Sequence, residues 1–283
     1  MTAPPEGTGL AAPGADDGLG ARRRERSWDQ LVSDLRSTGA DLSGTLHSLD
    51  PVQGAAPSLC TGWTVRDVVL HLVVGDDLAL RALEGERPLP EPTDDDEVLR
   101  DLAVRMVRAH GDVPLDEAVA MSDDRRARML AAVAQLDEAD LLREVPWAAT
   151  GVSRRALVQS RLMETWIHGW DLRRPLGIPQ PFDDRVWWVS DLAVRTLPYA
   201  FAKERRHPPA GTVRVTLDGP GGGTWERRLP DGGEGTVTVS GPSWAWLVLA
   251  GRRDVRPDLA RGALTAAPGP AGAALLGAVR AFA

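Results

Sequence analysis

The chain of 283 residues is 43% apolar and 26% charged, the balance of a globular protein with room for one large domain or two modest ones. With 33 Lys and Arg against 40 Asp and Glu, its net charge of −7 argues against general binding to nucleic acid or an anionic membrane, which favour a basic surface. The single cysteine, Cys60, excludes an internal disulfide and a cysteine-built zinc site, and with no run of about 18 apolar residues and no signal-like N-terminus a cytoplasmic location is expected.

Residues 1–26 mix Pro, Gly, Ala and charge without apolar periodicity. They bury too little surface to offset the entropy of ordering and are expected to form a disordered tail. From Trp28 to Leu49, the residues Leu31, Leu35, Leu42 and Leu46 recur at helical spacing and form the stripe of an amphipathic helix. Pro51, Gly54 and Pro57 then mark a loop. Thr64, followed three residues later by Asp67 at the start of an apolar run, reads as the N-terminus of a helix reaching Leu83. An acidic, Pro-rich loop occupies Glu86 to Glu97, and helical patterns follow over Asp94 to His110 and Leu115 to Leu136. After a break from Pro146 to Gly151, a helix runs from near Ser153 to Arg174 and stops at Pro175 and Gly177. One more helix is predicted over Asp183 to Arg206, with Pro198 as a kink or stop.

Beyond Pro208 and Pro209 the texture changes. Val213, Val215 and Leu217 alternate with polar residues, glycines crowd Gly219 to Gly223, and Trp225 to Leu229 and Thr236 to Ser240 read as further strands. Ser243 to Ala250 is predicted as a short helix, Arg252 to Leu259 as a loop or strand, and Ala271 to Phe282 as a terminal helix. The expected organisation is a helical domain over 27–208 and a small α+β domain over 209–283.

Two of the five histidines stand inside apolar helical segments. His71, in VVLHLVV, shares a face with Val68, Val74, Gly75 and Leu78, and Asp67 lies one turn before it as a candidate to orient the ring. Glu164 and His168, spaced i, i+4 in METWIHGWDL, project from one face that Arg161 and Asp171 extend. A buried carboxylate is costly unless paired or bound to a metal. Together His71, Glu164 and His168 offer two nitrogens and one oxygen, the donor set of a catalytic zinc site with an open fourth position. Spacing alone leaves other roles open: a core histidine for His71, and a helix-surface contact for Glu164 and His168. His47 and His110 are explained by helix ends and His207 by a charged linker. Cys60 has no neighbouring base in sequence and reads as a small buried residue.

Two segments carry a resemblance. Cys60-Thr-Gly-Trp-Thr-Val-Arg-Asp-Val-Val-Leu-His71-Leu resembles the C-x-G-W-T-V-x-D-V-V-x-H-L signature of the mycothiol-dependent maleylpyruvate isomerase family, and Glu164-Thr-Trp-Ile-His168-Gly-Trp-Asp171-Leu resembles its E-x-x-x-H-x-W-D-L signature. Trp244-Ala-Trp-Leu-Val-Leu-Ala-Gly251-Arg252, with the α+β texture from Gly211 on, is similar to the family's C-terminal domain, related to sterol-carrier folds. The resemblance implies an α plus α/β fold, a DinB-like four-helix bundle followed by a small α+β domain. It implies that His71, Glu164 and His168 bind Zn2+ or another divalent metal, and that mycothiol is the thiol cosubstrate for a small-molecule electrophile.

Either isomerisation or S-conjugation follows from such chemistry. Arg161, one turn before Glu164, and Arg252 are the candidate anchors for an anionic group, with a structural ion pair as the competing role for each. Trp63, Trp166 and Trp170 flank the ligands as pocket walls or as packing, and Asp67 and Asp171 are candidate partners of the two histidines. A metal-dependent hydrolase or lyase and a non-catalytic metal- or ligand-binding regulator are the alternatives. The acidic loop from Glu86 to Glu97 and the N-terminal segment stand outside the shared pattern.

Overall fold

Each bundle helix but one begins at a residue whose side chain caps it. Ser27 Oγ accepts from the Gln30 N–H and opens α1 (Trp28–His47), which buries Leu31, Leu35, Leu42 and Leu46 on one stripe. Thr64 and Asp67 form a reciprocal capping box at the start of α2 (Val65–Leu83). Asp95 caps α3 (Asp96–Arg108), whose last turn holds Arg105 and Arg108, a placement that suits the macrodipole. The exception is α4 (Leu115–Val133), which follows Pro114 without a side-chain cap. A two-strand ribbon of β1 (Glu144–Val145) and β2 (Val152–Ser153) then leads into α5 (Arg154–Arg173), capped by Ser153. This computed structural model describes residues 26–89, 93, 95–147, 151–230, 232–251 and 257–279. The expected disordered tail therefore lies outside the described residues, apart from Arg26.

Helices α1, α2, α4 and α5 form the four-helix bundle, in which α2 packs on α4 and α5 while α1 packs on the same two; α3 lies against α2. The segment expected to be a single helix from Asp183 to Arg206 is instead a 3-10 turn (Asp184–Val186), then α6 (Trp187–Arg195) and α7 (Leu197–Lys203). Pro198 lies in the first turn of α7, where its missing N–H has no helical partner to lose. The kink or stop expected at Pro198 falls two residues earlier, at Thr196, and Pro198 itself stands in the opening turn of the next helix.

The C-terminal region is a four-stranded sheet ordered β4 (Gly223–Arg228), β3 (Thr212–Asp218), β5 (Thr236–Pro242), β6 (Thr265–Ala266); β3 and β5 are parallel and the other pairs antiparallel. Pairing of Val213 with Val237 and of Val215 with Val239 lines up the buried alternate residues on one face. On the sheet pack α8 (Ser243–Gly251) and α10 (Pro270–Ala278). A further helix, α9 (Pro257–Ala263), begins within the stretch expected to be a loop or strand.

The change of texture near residue 209 marks a change of architecture inside one core. A single apolar cluster runs from Leu31 and Leu35 of α1 through Trp166, Trp187 and Trp188 to Trp225 and Trp246. Buried Asp191 on α6 ties the bundle to the sheet, accepting from Gln159 of α5 at 3.0 Å and from Trp225 Nε1 of β4 at 3.0 Å. Among the described residues no helix is long and apolar enough to cross a membrane.

Candidate metal centre

The capping box fixes where α2 starts, and two turns further on that helix presents His71 to α5. From α5, Glu164 and His168 project one turn apart. Glu164 Oε2 lies 3.5 Å from His71 Nε2 and 3.0 Å from His168 Nε2. One ligand atom from each of the three residues falls within 4.8 Å of the others. The imidazoles meet edge to face with ring centroids 4.7 Å apart, and the Trp63 ring stands 5.1 Å from that of His71. All three side chains retain some exposure, 23% for His71, 26% for Glu164 and 14% for His168, so the cluster opens toward solvent.

The partners of the two histidines differ. Buried Asp171 Oδ2 accepts from His168 Nδ1 at 2.8 Å, which directs Nε2 of the same ring to Glu164. Asp67, the expected partner of His71, is instead turned back to the helix start: its Oδ2 accepts from the Thr64 N–H at 2.9 Å and from Thr64 Oγ1 at 2.8 Å. The capping role consumes the carboxylate. His71 Nδ1 is left buried with no hydrogen-bond partner among the described residues.

Burial alone would raise the pKa of Glu164, but hydrogen bonds from His168 and His71 outweigh it and hold the carboxyl well below its usual range. For His168 burial opposes the charge, yet the contacts with Asp171, Cys60 and Glu164 prevail and raise its pKa well above the usual value. Burial lowers the pKa of His71 and favours its neutral form. A positive charge is thus already favoured between Glu164 and Asp171, and a divalent cation on the same atoms would displace a proton.

Arg161 is 4% exposed and its Nε donates to Asp76 Oδ1 at 2.9 Å; Arg126 Nε donates to the other oxygen of Asp76 at 2.6 Å. Its guanidinium lies across Gly75, one turn beyond His71 on α2, where a Cβ would come within 2.7 Å of both terminal nitrogens. Only glycine leaves that space. Arg161 Nη2 is buried without a hydrogen-bond partner among the described residues. Arg252 lies outside the described residues. Trp166 is turned away to the loop after α5, its Nε1 donating to Pro181 O at 3.0 Å.

Two features escaped the sequence. Cys60, read as a small buried residue without a base, directs Sγ to Asp171 Oδ2 at 3.2 Å and lies 3.8 Å from His168 Nδ1. The base stands 111 positions away in the chain, and the signal for it is that Cys60 opens the same signature that ends in His71. The other is Asp76 as the partner in the ion pair that was the competing role of Arg161, marked only by an acid within the apolar run VVGDD.

Bundle, donor set and appended sheet together define a class: a helical protein with a two-histidine, one-carboxylate site, carrying a small α+β region. Residues 35–173 match the family model described as the mycothiol maleylpyruvate isomerase N-terminal domain. The chain belongs to the mycothiol-dependent maleylpyruvate isomerase family. An uncharacterized protein of Mycobacterium tuberculosis, found in strains CDC 1551 / Oshkosh and ATCC 25618 / H37Rv, is 30% identical over 203 residues, 69% of this chain and 75% of the relative. The crystal structure of the mycothiol-dependent maleylpyruvate isomerase superposes with a TM-score of 0.59 at 18% identity, covering 87% of this chain and 96% of that one. At that identity the likeness establishes the fold.

Proposed function

We propose that this chain is a metal-dependent enzyme that activates a low-molecular-weight thiol, mycothiol, for attack on an electrophilic small molecule. One observation carries the proposal: nitrogens from two separate helices converge on a single carboxylate oxygen, at 3.5 and 3.0 Å. The donor set suits the ion. Two imidazoles and a carboxylate are ligands of zinc and its neighbours, and atoms within 4.8 Å of one another are spanned by two coordination bonds of about 2 Å each with small side-chain adjustment. His71, Glu164 and His168 would hold such an ion, which would supply a Lewis acid that favours the thiolate over the thiol at neutral pH.

The chain's own groups do the rest. Asp171 holds the His168 ring, and Trp63 sets an apolar surface against His71. Arg161, with an uncommitted Nη2, and Arg252 are assigned to an anionic group of the electrophile or the thiol. The reaction class is addition of the thiol sulfur to an electrophilic carbon. On an activated alkene the addition turns the carbon–carbon double bond into a single bond; rotation about it and expulsion of the thiolate re-form the double bond as its isomer, and protonation of the adduct at carbon with the sulfur retained gives an S-conjugate.

Family membership supports mycothiol as the thiol. Titrating it into the cobalt-substituted protein is expected to produce a sulfur-to-cobalt charge-transfer band. Absence of the band at millimolar thiol, with turnover proceeding in its absence, would contradict the proposal.

A further inference from the structure

The turn at residues 58–63 touches the surroundings of both histidines. It is a closed unit: the Ser58 N–H donates to Trp63 O at 2.9 Å, the Trp63 N–H to Cys60 O at 2.9 Å, and the Cys60 N–H to Ser58 Oγ at 3.1 Å. Gly62, at φ +80, supplies the left-handed residue the turn requires. The turn is pinned to α5 by its backbone, since the Leu59 N–H donates to Asp171 O at 3.0 Å. From this fixed platform Trp63 faces the His71 ring, and the Cys60 thiol reaches Asp171 Oδ2 at 3.2 Å.

That same oxygen accepts from His168 Nδ1 at 2.8 Å. The carboxylate is fully buried, so each donor it receives is costly to remove. The thiol approaches it from the turn and the imidazole from the helix, and the two sulfur and nitrogen atoms stand 3.8 Å apart.

From this geometry we infer that Cys60 is a positioning residue: its S–H holds the Asp171 carboxylate in the rotamer that aims His168 Nε2 at Glu164. Its functional consequence rests on the metal-centre proposal above, whereas the orientation of His168 does not. The thiol acts on the Nδ1 side of His168, away from the Nε2 that faces Glu164, so it tunes a ligand without being one.

Cys60→Ala and Cys60→Ser separate the donor from the volume of the side chain. In the metal-free protein, NMR of the His168 ring is expected to show a slowly exchanging Nδ1–H in the wild type and Cys60→Ser, and faster exchange in Cys60→Ala. Zinc affinity, measured by competition with a chromophoric chelator, is expected to fall about tenfold in Cys60→Ala, as for other partners of metal-bound histidines, and to recover largely in Cys60→Ser. Unchanged Nδ1–H exchange in Cys60→Ala, or a serine variant as impaired as the alanine one, would overturn the inference. So would a sulfur-to-cobalt band in the cobalt protein without added thiol, because Cys60 would then be a ligand. A wild type that binds no zinc, with the exchange pattern as expected, would sink the metal-centre proposal and leave the orienting role of Cys60 standing.

Discussion

Glu164 serves two histidines through one oxygen, and that economy makes it the most sensitive atom group of the centre. Glu164→Gln keeps the shape and removes the charge. It is expected to weaken zinc binding by more than the roughly 10- to 100-fold that loss of an outer partner costs, with little change in the urea midpoint. A chelator competition assay on the folded variant checks this, and wild-type affinity would exclude Glu164 as a ligand. At this scale the sequence was partly legible. Spacing i, i+4 put Glu164 and His168 on one face, and the two signatures connected them to His71. The Cys60–Asp171 contact was not legible, because periodicity reports on neighbours within a helix, and these residues meet only once a turn has folded onto a helix far along the chain. Asp67 misled for a related reason: the spacing that suits a partner for His71 also suits an N-terminal cap, and the cap won.

At the scale of elements, the Asp76 ion pair fastens α2 to α4 through Arg126 and to α5 through Arg161. Asp76→Ala would leave two buried guanidinium groups without their counter-charge, an expected loss of about 3–5 kcal/mol in urea unfolding. Burial would raise the pKa of this carboxyl, but Arg126 and Arg161 outweigh burial and lower it below its ordinary 3.8. A depressed folded-state pKa contributes stability that is fully present above the unfolded value and is lost as pH falls through the folded one. Wild-type stability is therefore expected to drop below about pH 4 with a contribution that Asp76→Asn lacks. Identical acid dependence in the two proteins would contradict the assignment. Gly75→Ala, one residue before Asp76 on α2, tests the same place by crowding: its Cβ would meet the Arg161 guanidinium, at an expected cost of about 1–3 kcal/mol, and a neutral outcome would mean that the arginine has room to move.

The bundle helices were legible where apolar stripe and start signal agree, as at Thr64 and Ser153, and at α1 from the leucine stripe alone, its Ser27 cap going unread. The break between α6 and α7 was legible only as a kink or stop at Pro198; its place at Thr196 was not, because Leu192 and Leu197 stay buried on both sides of it and the apolar pattern passes through without interruption.

For the whole molecule, one apolar core runs from α1 to the sheet, and on that ground the helices and the α+β region are expected to unfold together. Urea unfolding followed by tryptophan fluorescence and by far-ultraviolet circular dichroism is expected to give coincident transitions. Two separated transitions would show that the region beyond residue 209 folds independently, as the change of texture in the sequence suggested. Alternation at Val213, Val215 and Leu217 revealed the sheet, but not its order: β3 pairs with β5 in parallel, a long-range choice that local pattern does not encode. Placement of the metal centre depends on this core, since α5 carries Glu164 and His168 on the bundle side while Gln159 binds it to α6 and, through Asp191, to β4.

The most direct measurement is the metal content of protein purified without chelator or affinity tag, for the wild type and for His71→Ala and His168→Ala. About one equivalent of divalent metal in the wild type and a loss from each folded variant is the predicted result, because neither helix alone supplies the donors a bound ion needs. A wild type without metal, or a His71→Ala protein that retains a full equivalent, would contradict a centre shared between α2 and α5.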